Sequence, residues 1–293
     1  WTLIGVNGLI SVWRGHVIQG WLLFSLAIGL GTLTKGPVIL IYLLPTALLA
    51  PCWAIYGEKQ NWSNWYLGIT GSIIVSVGIA LIWAIPAGIA GGEEYRNAIF
   101  WRQSAGRVIN SFAHQKPVWW YFTIVPGLLM PWLLWPTVIR KFWSNIYHLR
   151  LLMNDPGLRL VLIWAISTLL ILSIISGKRP HYLLPIFPAL GIAGAIVVSN
   201  LNEKDFFSGR WDMLPFAVLF CTSGVTIAFL PEIGYSLNVS EWTTEIDRWW
   251  ALPLIGLGLF TMIRPPKSGF QRVFLISMLS PILIIYSTVM LKS

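Results

Sequence analysis

The sequence predicts an all-α protein, a polytopic bundle of transmembrane helices with interfacial helices on its outer face. Of its 293 residues, 56% are hydrophobic and 11% are charged, and the mean hydropathy is +0.70. A soluble domain carries about 25% charged residues, so this composition indicates an integral membrane protein. Apolar runs close to the ~20 residues that a bilayer crossing needs recur along the whole chain. Tryptophans and cations flank these runs, as is typical of membrane–water interfaces.

We expect nine or ten spans within a single membrane domain that covers residues 1–293, the first span being truncated. The chain opens on Trp1–Trp13, with no initiator Met and no signal-peptide pattern, so we expect the N-terminal part of the full protein to be missing. The other apolar runs are Trp21–Leu33, Val38–Tyr56, Trp65–Ala90, Trp119–Ile139, Leu158–Ile175, Tyr182–Ser199, Met213–Leu230, Trp249–Ile263 and Phe274–Leu291. The sequence Lys35-Gly36-Pro37 predicts a break between two spans, because Pro cannot continue a helix and Gly frees the backbone.

Residues 91–118 form the longest extramembrane segment between spans. Apolar residues recur in it at helical spacing, at Ala98, Trp101, Ala105, Val108 and Phe112. Arg96 and Arg107 fall on the opposite face, so the pattern predicts an amphipathic helix in the bilayer interface. Long loops inside a compact membrane domain are usually functional. The alternative is a solvated loop whose arginines lie near lipid headgroups.

Alternate threading of the spans assigns each cation to one side of the membrane. Eleven cations fall on one side, mostly in short connectors, and the positive-inside rule makes that side cytoplasmic. They are Arg14, Lys59, Arg140, Lys141, Arg150, Arg159, Lys204, Arg210, Arg264, Lys267 and Arg272. The outer cations gather at three places, namely Lys35, the segment 91–118, and Lys178-Arg179 with His181. Cations at the outer bilayer edge oppose the topology rule, so we infer an anionic ligand such as a lipid phosphate or pyrophosphate. Snorkelling to headgroups is the alternative, and it is favoured for Lys116 and Lys292.

The residues alone supply little catalytic chemistry. No nucleotide-binding, metalloprotease or hydrolase motif occurs, and the net charge of +9 is explained by basic loops beside spans rather than by nucleic-acid binding. Glu93 and Glu94 are best explained as first-turn residues of a helix. His114 and His181 could join a metal or phosphate site, so no cofactor is assigned and a divalent metal is left open. No general base is identified.

Three blocks carry a resemblance to a known family. They are GLGTLTKGPVILIYLLP (Gly29–Pro45), WRQSAGRVINSFAHQKPVWWYFTIVPGLLMPWLLWP (Trp101–Pro136) and SGKRPHYLLPIFPAL (Ser176–Leu190), in that order. Together they resemble the bacterial polyprenyl-phosphate-sugar-dependent glycosyltransferases of GT-C fold. These family 39/83-like enzymes include aminoarabinose transferases and relatives of the protein O-mannosyltransferases.

The resemblance implies a multi-pass enzyme of the bacterial inner membrane with a periplasmic active face. It would move a sugar from an undecaprenyl- or other polyprenyl-phosphate carrier to a lipid or protein acceptor, without a nucleotide sugar. The residues that it implies around the carrier phosphate are Lys35, Arg102, Arg107, His114, Lys178 and Tyr182. The family's catalytic carboxylate lies in the first outer loop, which we expect to precede residue 1. No catalytic residue is therefore assigned, and we expect the fragment alone to be inactive.

Two other classes of protein would also be rich in spans. A transporter or flippase of an anionic lipid-linked sugar would need outer cations at span breaks. Transporters usually show related repeats and charges at mid-membrane, and the sequence shows neither. A purely structural membrane subunit does not explain why cations gather on the outer face.

Overall fold

The computed structural model describes residues 1–54, 61–97, 116–130, 132–144, 154–199, 209–237 and 246–278, and every regular element in these ranges is helical. The α-helices are α1 (Thr2–Trp13), α2 (Val17–Lys35), α3 (Ile39–Leu48), α4 (Ala50–Trp53), α5 (Trp62–Ala90), α6 (Gly92–Asn97), α7 (Trp120–Leu128), α8 (Pro136–Ser144), α9 (Pro156–Ile174), α10 (Phe187–Ser199), α11 (Gly209–Leu237), α12 (Ala251–Ile263) and α13 (269–278). Short 3₁₀ segments cover Trp132–Leu134, Pro180–Ile186 and Arg248–Trp250. The all-α prediction is confirmed.

Four helices in the described residues are long and apolar enough to cross a bilayer: α2, α5, α9 and most of α11. Their outer surfaces carry large apolar side chains. On α5, for example, Ile82 and Ile89 are each 77% exposed. Such surfaces are favourable only against lipid, because water would raise their free energy in proportion to the apolar area. The protein is therefore a multi-pass membrane protein.

The chain divides into two compact units. The first comprises Trp1–Ile124 and Tyr147–Val197, and the second comprises Val125–Ile146 and Val198–Ser293. The single domain of nine or ten spans stays a prediction.

Small residues bring the first helices of unit 1 into close contact. A Cβ placed on Gly8 of α1 would lie 2.7 Å from the carbonyl oxygen of Gly20 of α2. Between α2 and α5, the hydroxyl of Ser76 donates to the carbonyl of Ser25 at 2.8 Å. Close backbone approach and interhelical hydrogen bonds of this kind hold helices together in lipid, where the hydrophobic effect contributes little.

One end of unit 1 is closed by packed indole rings. Trp13, Trp21, Trp53 and Trp65 contact one another edge to face, with ring centroids 5.3–6.2 Å apart. The two fully buried rings donate to the backbone, Trp53 to the carbonyl of Thr46 and Trp65 to that of Ala47. Trp21 lies near the start of α2 and Lys35 at its end. At 1.5 Å per residue, Trp21 and Lys35 are about 21 Å apart along the helix axis.

Some predicted spans are interrupted in the structure. The run Trp119–Ile139 is not one helix, because α7 ends at Leu128 and α8 begins at Pro136 after a short 3₁₀ turn. Prolines at 126, 131 and 136 explain this, since each removes a backbone donor and restricts the residue before it. Glu93 and Glu94 lie in the first turn of α6, as predicted. The predicted interfacial helix through Phe112 lies outside the described residues.

Candidate anion-binding site

The segment between α9 and α10 leaves the helical conformation at Ile175. Pro180 disfavours a helical conformation for the residue before it, and Arg179 is extended, with φ −137° and ψ 142°. The backbone N–H of Lys116 donates to the carbonyl of Ser176 at 3.2 Å. The chain is therefore non-helical from Ile175 to Arg179, with a bend at residues 175–176, before a 3₁₀ turn starts at Pro180.

Two buried tyrosines fix the backbone of this segment. The Tyr121 hydroxyl donates to the Arg179 carbonyl at 3.2 Å and accepts from the Arg179 N–H at 3.3 Å. The Tyr42 hydroxyl donates to the Tyr182 carbonyl at 3.0 Å. Tyr121 is fully buried and Tyr42 is 3% exposed. These bonds satisfy backbone groups that no helix satisfies, and they hold residues 179–182 in one conformation.

Lys35 meets this segment from the end of α2. Its ammonium lies 5.1 Å from the centroid of the Tyr182 ring, within the range of a cation–π interaction. The helix ends at Lys35 because Gly36 takes a positive φ of 80°, which a glycine adopts without strain, and Pro37 follows. The predicted break at this position is confirmed. Lys35 remains exposed, so its charge is available to a ligand.

Arg179 and His181 add two further exposed side chains. The His181 ring packs edge-on against the Tyr182 ring, with centroids 4.7 Å apart. Burial lowers the pKa of His181, and the charges of Lys35 and Arg179 lower it further. This electrostatic coupling indicates that the His181 ring lies close to Lys35 and Arg179. Arg179 and His181 fall on the outer face by the topology argument, but the family resemblance does not place them among the substrate-binding residues.

The Lys178 side chain points into the protein, whereas those of Arg179 and His181 are exposed. Its side chain is 2% exposed, and its ammonium donates to the carbonyls of Ile175 at 2.6 Å and Lys116 at 3.1 Å. Burial lowers the pKa of this ammonium. Lys178 thus contacts the protein backbone rather than the surface that carries Lys35.

Of the six predicted substrate-binding residues, the structure brings Lys35 and Tyr182 into contact and places Lys178 behind them. Arg102, Arg107 and His114 lie outside the described residues. Within the described ranges, no carboxylate pairs with Lys35, Lys178 or Arg179. In those same ranges, no three or more His, Cys, Asp and Glu residues come together in a group that could hold a metal ion. The result is a cationic surface with no internal counter-ion among these residues, which can attract an anion.

Comparison with known proteins finds related sequences, although no family model matches. An undecaprenyl phosphate-α-4-amino-4-deoxy-L-arabinose arabinosyl transferase of Pseudomonas paraeruginosa is 28% identical over 90% of this chain and 51% of its own length. The transferase of the same name from Edwardsiella ictaluri is 32% identical over 70% of this chain and 36% of its own length. The chain is homologous to these arabinosyl transferases. It spans between about a third and a half of the length of the relatives it matches.

The fold agrees with this homology. The crystal structure of ArnT from Cupriavidus metallidurans bound to undecaprenyl phosphate matches 93% of this chain and 46% of that one, with a TM-score of 0.56 and 18% identity. The chain therefore has the helical membrane fold of ArnT. The resemblance to arabinosyl transferases and their GT-C relatives, predicted from the three sequence blocks, is confirmed.

Proposed function

We propose that this chain forms part of the membrane domain of a glycosyltransferase that takes a sugar from an undecaprenyl-phosphate or related polyprenyl-phosphate carrier. The sugar passes to a lipid or protein acceptor on the periplasmic face of the bacterial inner membrane. One observation carries the proposal: the Lys35 ammonium and the His181 ring pack against the Tyr182 ring beside the exposed Arg179, and no carboxylate among the described residues pairs with Lys35 or Arg179. The relatives are named for an undecaprenyl-phosphate-linked aminoarabinose, so we propose a donor of that class.

The chemistry of sugar transfer suits such a surface. When the bond between the sugar and the carrier phosphate breaks, negative charge grows on the departing phosphate. Fixed cations stabilise this charge in the transition state more than in the ground state, which lowers the barrier. Lys35 would act as a point charge, whereas Arg179 can bind two phosphate oxygens at once. The acceptor's nucleophile needs a base, and this chain's described residues are assigned none.

The periplasmic placement rests on the topology argument. Positive-inside threading puts the shorter basic connectors in the cytoplasm and Lys35 and Arg179 on the opposite side. The indole cluster of unit 1 occupies the other end of α2, about 21 Å away. The carrier lipid would then reach the cationic end of unit 1 by lateral diffusion in the bilayer.

The direct test is binding of undecaprenyl phosphate to the purified membrane protein, with undecaprenol as the ligand that lacks the phosphate. We expect saturable binding of the phosphate form and weak binding of undecaprenol. Lys35→Met and Arg179→Gln should each weaken binding by about tenfold, equivalent to about 1.4 kcal/mol. Lys267→Met, which removes an exposed cation of the other unit, is the matched control. Equal binding of both lipids, or no effect of either variant, would refute the proposed site.

A further inference from the structure

Lys178 is a buried cation that has no carboxylate partner among the described residues. Removing an ammonium from water is costly unless polar groups replace the lost hydration. Here two carbonyl oxygens do so, those of Ile175 and Lys116, at 2.6 and 3.1 Å. They come from segments far apart in the sequence.

Each carbonyl contact has a specific structural effect. Ile175 is the C-cap of α9, whose last carbonyls carry partial negative charge, so an ammonium there stabilises the end of this helix. Lys116 is already joined to the same segment, because its N–H donates to Ser176. The ammonium of Lys178 adds a second bond from this segment to residue 116. Both backbone groups of residue 116, its N–H and its carbonyl, are thereby hydrogen-bonded to residues 176 and 178.

This fastening sets the position of the residues that follow. Arg179 takes its extended conformation directly after Lys178, and its N–H and carbonyl are then held by Tyr121. Lys178 is 2% exposed, whereas Arg179 and His181 are exposed. The inward direction of Lys178 therefore accompanies the outward presentation of its two cationic neighbours.

We propose that Lys178 is a positioning residue that fastens the end of α9 to residue 116 and so presents Arg179, His181 and Tyr182 to the anion. It does not itself contact the phosphate. The inference rests on the proposed function, since the residues that Lys178 positions are those of the proposed phosphate site. It replaces the direct phosphate contact that the family resemblance implies for Lys178 with a contact to the backbone.

The first test is labelling of lysines with a water-soluble acetylating reagent, followed by peptide mass spectrometry, with and without undecaprenyl phosphate. Lys178 should react at least about tenfold more slowly than the exposed Lys35, because burial blocks the reagent, and the lipid should not change its rate. Lys35 should be protected by the lipid. Rapid labelling of Lys178 together with protection by undecaprenyl phosphate would overturn the proposal.

The second test separates charge from hydrogen bonding. Lys178→Gln keeps neutral N–H donors for the carbonyls, whereas Lys178→Met has a similar length and none. Because a phosphate ligand needs the charge and a backbone fastener needs the donors, Lys178→Gln should keep lipid affinity within about threefold and Lys178→Met should lose about tenfold. Equal losses in two folded variants would contradict the positioning role.

The labelling test also distinguishes the two proposals. It uses the protein with its own sequence, so its result can be interpreted even if a Lys178 variant does not fold. If undecaprenyl phosphate protects neither Lys35 nor Lys178, the proposed function fails, whereas slow labelling of Lys178 would still show that its ammonium is held inside the protein.

Discussion

Arg272 and Asp212 form a buried ion pair in unit 2, with 2.8 Å between Nη1 of Arg272 and Oδ2 of Asp212. The Asp212 side chain is fully buried, and its other oxygen accepts from both the backbone N–H and the hydroxyl of Thr137, at 3.1 and 2.7 Å. The carboxylate thus caps the start of α8 from within α11 and meets an arginine of α13. Around it pack Trp135, Met213, Phe216 and Ile276, which form the core of this part of unit 2.

Arg272→Met should destabilise the protein strongly. It leaves the Asp212 carboxylate buried and without its cation, which typically costs about 3–5 kcal/mol. We expect a clear fall in the midpoint of thermal unfolding in detergent, and a smaller fall when Asp212→Asn is combined with it. Arg264→Met, at an exposed position just after α12, is the control. A midpoint equal to that of the control would show that the pair contributes little.

Tyr42→Phe should weaken binding of the carrier lipid without abolishing it. The substitution removes only the hydroxyl that donates to the Tyr182 carbonyl, a bond expected to contribute about 1 kcal/mol. We expect a severalfold higher Kd for undecaprenyl phosphate. Tyr66→Phe is a matched control, because the Tyr66 hydroxyl also donates to a backbone carbonyl, that of Leu48, but on an exposed surface. An equal effect of both substitutions would argue against a role of Tyr42 in the site.

The pKa of His181 should rise in Lys35→Met. Burial keeps this pKa below its ordinary value of 6.5, and removal of the Lys35 charge takes away one of the further causes. Imidazole resonances followed by NMR across the pH range would measure the change. An unchanged or lower pKa in Lys35→Met would show that the two groups are not coupled.

The same group should make stability and anion affinity change in opposite directions with pH. Because the folded-state pKa lies below the unfolded value, the unfolded chain binds more protons, and the free energy of unfolding falls as the pH drops through about 6.5. Protonated His181 adds positive charge, so its own contribution to the affinity for the carrier phosphate should rise as the pH falls, and it is measured as the difference from His181→Gln because the phosphate itself loses charge at about pH 6. His181→Gln should remove the His181 contribution to both trends, and their persistence at full size would assign them to other groups.

Gly8→Ala should separate α1 from α2. The added methyl would lie 2.7 Å from the Gly20 carbonyl oxygen and 2.9 Å from the Phe24 nitrogen, and a backbone cannot give way as a flexible side chain can. Overpacking of this kind typically costs about 1–3 kcal/mol. Gly71→Ala, in the middle of α5 with nothing within 4 Å of the new methyl, should be neutral or stabilising. The midpoints of thermal unfolding of the two variants test this, and equal midpoints would contradict close packing at Gly8.

The sequence was sufficient to predict the class of fold and several helix ends. Hydropathy and length identify spans, and the Gly36-Pro37 pair ends α2 at Lys35 for local steric reasons. The interruption after Leu128 was missed because hydropathy averages over prolines, which act on single hydrogen bonds. The local sequence around Asp212 indicates only a turn or cap residue. Its actual partners, Thr137 and Arg272, are distant in sequence, so no local pattern could identify them.

The candidate site was only partly accessible to sequence reasoning. Cations beside Gly and Pro at span breaks pointed to Lys35 and Lys178, and the structure shows that Lys35 reaches Tyr182. The direction of a lysine side chain depends on which carbonyls lie nearby, and for Lys178 these include Lys116, brought close only by the tertiary fold. The roles of Arg102, Arg107 and His114 stay predictions.

Lys35 rests on a neutral partner, the Tyr182 ring, rather than on a carboxylate of the described residues. An anion that binds Lys35 therefore does not have to replace a carboxylate, and when the anion dissociates no carboxylate is left without its cation. Occupancy would then follow the charge that each polyprenyl headgroup carries. If the proposed function holds, lipids with a diphosphate headgroup would compete with the monophosphate carrier for the same surface.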